Sequence, residues 1–186
     1  MTLAHLEELG KLAGRAAAEL AEPVQRYVAL VRDTLGAGRT VFFAGNGGSA
    51  AHAQHVATEY VVRYRPVQRK AAAAVALSTD SSLLTAAGND LGFEQIFSRQ
   101  VEAHGRRGDL LVLISTSGKS PNLLAAARAA RAGGMKVVGL LAAGGGPLAA
   151  LVDVGVVVPT TDAAHAQEIQ LAIDHYVCSQ VEPGLR

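Results

Sequence analysis

Tryptophan is absent from this chain of 186 residues, cysteine occurs once, and aromatic residues make up only 4%. With so few rings the core must be built from Ala, Val and Leu, and a hydrophobic content of 49% supplies them. A lone Cys178 excludes an intrachain disulfide and points to a reducing compartment. No block of like charge occurs and the net charge is +1, so nothing favours nucleic acid or an anionic membrane surface as partner. Met1-Thr2-Leu3-Ala4-His5-Leu6-Glu7-Glu8 carries acids where a secretory signal needs cations followed by an apolar stretch. The longest uncharged run, Val137–Val152, is interrupted by Gly144-Gly145-Gly146-Pro147 and reads as strand and turn, not as a membrane span. The expectation is a soluble, cytoplasmic chain of a size that suits one compact domain.

Residues 3–35 read as helix. Leu3, Leu6 and Leu9, then Val24, Tyr27, Val28 and Val31, recur at three- and four-residue spacing. Pro23 divides the stretch into two helices, because proline suits a first helical turn and not an interior, and Gly36 and Gly38 close it. Residues 1–37 are therefore a helical extension, and 38–186 the main domain. From Thr40 the pattern changes to short β-rich runs: Thr40–Ala44, Ala73–Leu77, Asp109–Ile114, Lys136–Leu141 and Val154–Val158. Helical stretches near 48–63, 81–89, 94–104, 121–132 and 163–181 separate or follow them. Continuously apolar strands alternating with helices predict an α/β fold, a three-layer α/β/α sandwich on a five-stranded parallel sheet. Such sheets bind ligands beyond the carboxyl ends of their strands, where strand order reverses. In a flavodoxin-like order the first and third strands flank that crevice, and here those two strands precede turns rich in glycine and hydroxyls.

The first of these turns is Gly45-Asn46-Gly47-Gly48-Ser49-Ala50. Its glycines allow close backbone approach, and amides at the following helix start favour an anion or polar oxygens. It matches the dinucleotide pattern G-x-G-x-x-A, but no acid stands about 20 residues on, since Asp80 comes too late. A plain tight turn is the alternative. The second turn, Ser115-Thr116-Ser117-Gly118-Lys119-Ser120-Pro121, combines four hydroxyls with a proline-opened helix start and suits a phosphate. Gly118-Lys119-Ser120 looks like the end of a Walker A loop, but Leu113 stands where that loop needs glycine, which disfavours nucleotide hydrolysis. Ordinary helix-capping serines are the alternative here.

His55 and Glu59 stand four residues apart, on one helical face, and such a pair can share a metal ion. On spacing alone, a surface histidine paired with a carboxylate is the commoner meaning. His52 lies on the same helix without an assigned role. Gln167 and His175 lie on the last helix, where eight residues span about 12 Å, near the limit for two side chains to meet one ion. Either Gln167 precedes the regular helix or two subunits build each site; alone, the two are ordinary helix residues. Gly88-Asn89-Asp90-Leu91-Gly92-Phe93 is a polar turn in which Asp90 is placed to cap the next helix.

Together, Gly45–Ser49, Ala53–Glu59, Gly88–Phe93, Ile114–Gly118 and Gln167-Glu168-Ile169 resemble the sugar isomerase (SIS) domain family over about residues 38–181. Within it, the resemblance is to the branch acting on seven-carbon ketose phosphates. It implies conversion of sedoheptulose 7-phosphate to the aldose D-glycero-D-manno-heptose 7-phosphate. A substrate site is implied at Asn46, Gly47, Gly48, Ser49, Arg63, Asn89, Asp90, Ser115, Thr116, Ser117, Ser120 and Gln167. It further implies one zinc ion per site on His55, Glu59, Gln167 and His175, with Glu59 as base and His175 as acid. A homotetramer with interfacial sites is also implied, which agrees with the reach of Gln167 and His175. Two positions depart from the family pattern: His52 replaces a common Asp, and Ala164 stands where some members carry an acid. The rival expectation is a non-catalytic SIS relative that associates with the bacterial replication initiator; retention of Glu59 and His175 argues against it.

Overall fold

A computed structural model describes residues 3–65 and 68–185. Five parallel strands form one sheet in the order β2-β1-β3-β4-β5: β1 Val41–Gly45, β2 Ala74–Ala76, β3 Leu110–Ser115, β4 Lys136–Ala142 and β5 Val154–Val158. Each expected β-rich run coincides with a strand to within one residue at either end. This is the flavodoxin-like order, with reversal between β1 and β3, whose register pairs Val41 with Leu110 and Gly45 with Ile114.

The helices are α1 Ala4–Glu19, α2 Ala21–Gly36, α3 Gly48–Val61, α4 Ser81–Asp90, α5 Ser98–His104, α6 Pro121–Ala132 and α7 Ala163–Val181. Strand periodicity distributes the apolar residues to two covered faces. Val41, Phe43, Leu110, Val112 and Ile114 face a core closed by Leu12, Tyr27, Val28 and Val31 of α1 and α2, Val56 of α3 and Val177 of α7. Phe42, Ala44, Leu111 and Leu113 face a second core with Ala87 of α4, Val101 of α5, and Leu123 and Ala126 of α6. Burial on both faces explains why these strands read as unbroken apolar runs.

Three local departures have physical reasons. The break in the N-terminal helices falls at Leu20, and Pro23 sits in the first turn of α2, where its missing N–H removes no bond. Leu3 and Leu6, placed at helical spacing, are 72% and 56% exposed because no described residue covers that side of the chain at the start of α1. The stretch 94–104 begins as a 3-10 turn, Phe93–Gln95, before the shorter α5. Asp80 caps α4, its Oδ1 accepting from the Leu83 amide at 2.9 Å.

Candidate active site

The two glycine- and hydroxyl-rich turns lie side by side at the carboxyl ends of β1 and β3, and an amide pair joins them. Asn46 Nδ2 donates to Asn122 Oδ1 at 2.9 Å, and Asn122 Nδ2 donates back to Asn46 Oδ1 at 2.8 Å. Asn122 opens α6 and is buried, so it fixes Asn46 between the two walls. In the first turn Gly47 takes φ +54°, and an added Cβ on Gly45 would stand 2.6 Å from the Ser49 carbonyl. In the second, Ser115 Oγ accepts from the Gly118 amide at 3.0 Å and Ser117 Oγ from the Lys119 amide at 3.3 Å. Gly118 has φ +63°, and a Cβ there would fall 1.8 Å from the Gly145 carbonyl oxygen, so only glycine fits. Ser120 makes no side-chain cap at α6. The capping alternative thus does not hold for Ser120, while Ser115 and Ser117 shape the turn itself.

On α3, which follows the first turn, and on α7, three titratable groups come together. His55 Nε2 lies 2.9 Å from His175 Nε2 and 3.5 Å from Glu59 Oε1. One ligand atom from each of the three lies within 4.8 Å of the others. Two imidazoles and a carboxylate, partly open to solvent, are a zinc-type donor set with room for a further ligand. The Tyr64 ring stands 5.5 Å from that of His175.

Buried polar groups hold this cluster from behind. Asp174, adjacent to His175 and fully buried, accepts from Tyr27 Oη at 2.8 Å, and its Oδ2 lies 2.8 Å from His52 Nε2. That second contact meets the distance but not the alignment of a hydrogen bond. His52, without a role on sequence grounds, therefore ties α3 to α7 beside the cluster. Burial and then the Asp174 charge push the Cys178 thiol up to about 12, so it is no nucleophile at neutral pH. Glu182 accepts from the amides of Tyr64 at 2.9 Å and Arg65 at 3.0 Å and from Arg69 Nε at 3.0 Å. Arg69 also donates to the Glu59 carbonyl. Burial opposes ionisation of Glu182, but the Tyr64 amide and Arg69 outweigh it and hold its pKa below the ordinary value.

The remaining expected residues are placed as follows. Gln167 is the fifth residue of α7, so it does not precede the regular helix; its amide lies against Gly48, where an added Cβ would be 3.2 Å from both Nε2 and Oε1. Asn89 and Asp90 end α4, exposed, with Asn89 Nδ2 donating to Asp90 Oδ1 at 2.7 Å. Asp90 caps no helix; the 3-10 turn that follows has Gly92 at its start. Arg63 is exposed just beyond α3. Concavities also lie away from these residues, one lined by Leu83, Arg99 and Gln100 and one between α1, α2 and α7.

Residues 4–142 match the SIS domain family. A phosphoheptose isomerase of Paramagnetospirillum magneticum is 50% identical over 89% of this chain and 85% of its own length, and one of Rhodospirillum rubrum is 47% identical over 90% and 88%. The chain belongs to the phosphoheptose isomerase family of SIS domains. Solved phosphoheptose isomerases from Neisseria gonorrhoeae and Francisella tularensis superpose with TM-scores of 0.90 and 0.93, at 40% and 32% identity. They cover 97% of this chain, and the chain covers 96% and 95% of theirs.

Against this SIS frame, sequence reasoning missed Asn122, Tyr64, Asp174, Arg69 and Glu182. Asn122 carried a signal, since it directly follows the proline that opens α6. The others act across separations of about 50 residues or more, or through backbone groups, and no local pattern marks them.

Proposed function

We propose that the chain isomerises sedoheptulose 7-phosphate to D-glycero-D-manno-heptose 7-phosphate, a step of heptose biosynthesis. The observation that carries this reading is the convergence of His55, Glu59 and His175 from α3 and α7, in a chain that also carries a hydroxyl-rich turn suited to phosphate. The reaction moves a proton between adjacent carbons while carbonyl and hydroxyl exchange. It needs a base, an acid for the oxygens and stabilisation of an enediolate. Glu59 takes the proton and His175 serves the oxygens. The turn at Ser115, Thr116, Ser117 and Ser120 anchors the phosphate at the far end, so that remote binding orients the reacting carbons. Asn46, Gly47, Gly48 and Ser49 line the opposite wall, with Arg63, Asn89, Asp90 and Gln167 toward the sugar. His55, Glu59 and His175 are fitted to hold a zinc ion, which when bound supplies Lewis acidity toward the substrate oxygens.

Gln167 as a fourth ligand requires more than one continuous helix readily offers: within α7 it stands about 12 Å of rise from His175. A second subunit supplying it supports a homotetramer with interfacial sites. The exposed Leu3 and Leu6 support association too, as does an apolar groove of about 370 Å³ lined by Ala13, Leu20, Ile169 and Ile173. No described helix is long and apolar enough to cross a membrane, and the buried lone thiol suits the cytoplasm.

Incubation of zinc-loaded protein with sedoheptulose 7-phosphate and other ketose phosphates, with product identification, tests the reading. Conversion of the seven-carbon ketose is expected; no turnover of any ketose phosphate overturns it. Absence of bound zinc after loading favours the non-catalytic binding relative.

A further inference from the structure

Outside the candidate active site, a second group of metal-type donors joins α1 to α7. His5 stands in the first turns of α1, while His165 and Glu168 lie three residues apart on one face of α7. One ligand atom from each lies within 4.8 Å of those of the other two. His5 Nε2 is 2.8 Å from Glu168 Oε1, and the His5 and His165 rings meet at a tilt of 34° with centroids 4.2 Å apart. The His165 side chain is only 9% exposed, and its Nε2–H donates to the His5 backbone carbonyl at 3.2 Å, on the side from which His5 approaches. The Asp162 carboxylate lies 3.9 Å from its other ring nitrogen and accepts the His165 amide at 3.0 Å. At 3.9 Å this carboxylate is beyond hydrogen-bond reach of the ring and acts on it only through its charge.

We infer that His5, His165 and Glu168 form a second binding site for a zinc-class divalent cation, separate from the cluster at His55, Glu59 and His175. Two imidazoles and a carboxylate are the donor set such cations take, at about 2.0–2.2 Å each. Tetrahedral geometry at those lengths sets donor atoms roughly 3.4 Å apart. His165 is held, whereas His5 and Glu168 are exposed and free to adjust by the ångström or so required. The bound cation replaces the proton in the His5–Glu168 contact, and His165 gives up its Nε2–H bond to the His5 carbonyl, the proton moving to Nδ1 on the Asp162 side. It leaves a fourth position to water and staples the start of α1, with its uncovered leucines, to the start of α7.

The test uses the untagged full chain, stripped with a chelator, reloaded with Zn²⁺ and desalted, with zinc counted by mass spectrometry. In the His55→Ala/His175→Ala background, about one equivalent per chain remains if the inference holds. Adding His5→Ala and Glu168→Gln abolishes it. In case the first background folds poorly, the same two substitutions in the otherwise unaltered chain lower its zinc content by one equivalent. Identical zinc content with and without His5→Ala and Glu168→Gln overturns the second site and leaves the active-site reading untouched. Loss of zinc only on His55→Ala/His175→Ala likewise overturns it.

Discussion

Two His–Glu clusters flank α7, and their donor types are the same: two imidazoles and one carboxylate each. Their surroundings differ. The one at His55, Glu59 and His175 is backed by the buried Asp174–Tyr27–His52 network and the Glu182–Arg69 clamp. The one at His5, His165 and Glu168 has the His5 and Glu168 side chains 50% and 39% exposed, and Asp162 stands nearest to His165. Donor identity alone therefore does not define a reactive centre. Chemistry needs a rigid shell around its groups, and the buried network lies behind the first cluster.

The largest expected difference is catalytic. Glu59→Gln should lower turnover at least about 100-fold, the lower end of what a positioned acid or base contributes. Glu168→Gln should leave turnover within about twofold, as for an ordinary surface change. Near-normal turnover in the Glu59 variant would remove that residue from the mechanism and erase the contrast. The phosphate wall comes next: Gly118→Ala sets a Cβ against the Gly145 carbonyl and should raise KM for the sugar phosphate about tenfold or more. An unchanged KM would separate the Ser115–Ser120 turn from substrate binding.

Stability offers a further contrast. His52→Ala leaves the buried Asp174 carboxylate short of a partner and should cost about 3 kcal/mol, lowering Tm by roughly 6–12 °C. His5→Ala in metal-free protein, at a solvent-screened surface contact, should leave Tm nearly unchanged. Equal Tm values for the two variants would mean that the shell behind the first cluster is no firmer than the surroundings of the second. The smallest effect is the acid response. Glu182 has its folded pKa lowered, so its contribution is present above the unfolded carboxyl value and is lost as pH falls through the folded one. Glu182→Gln should flatten the decline in stability below about pH 4.5; an unaltered acid limb would show that the clamp carries no such linkage.

Much of the fold was legible because a parallel sheet covered on both faces leaves a coarse signal. Leu110–Ile114 is unbroken apolar sequence, and Pro121 marks the start of the next helix, so strand and helix limits follow from composition. The N-terminal stripe was legible as helix but not as exposed: periodicity shows which residues share a face, not whether anything covers it. His55 and Glu59 were legible as a pair because four residues make one helical turn. His52 was not, since its partner lies on another helix, 122 residues away.

The sequence by itself determined the alternation of strands and helices, the two ligand-type turns and the His55–Glu59 face. Each depends on interactions between residues close in the chain. Only the tertiary structure decided that His175 meets that face, that Asn122 locks the two turns together, that His52 rests on Asp174, and that Gln167 lies against Gly48 within a regular helix. Those contacts depend on how α3, α6 and α7 dock on a shared sheet. That docking is set by the summed burial of the Ala, Val and Leu core, which no short stretch of sequence contains.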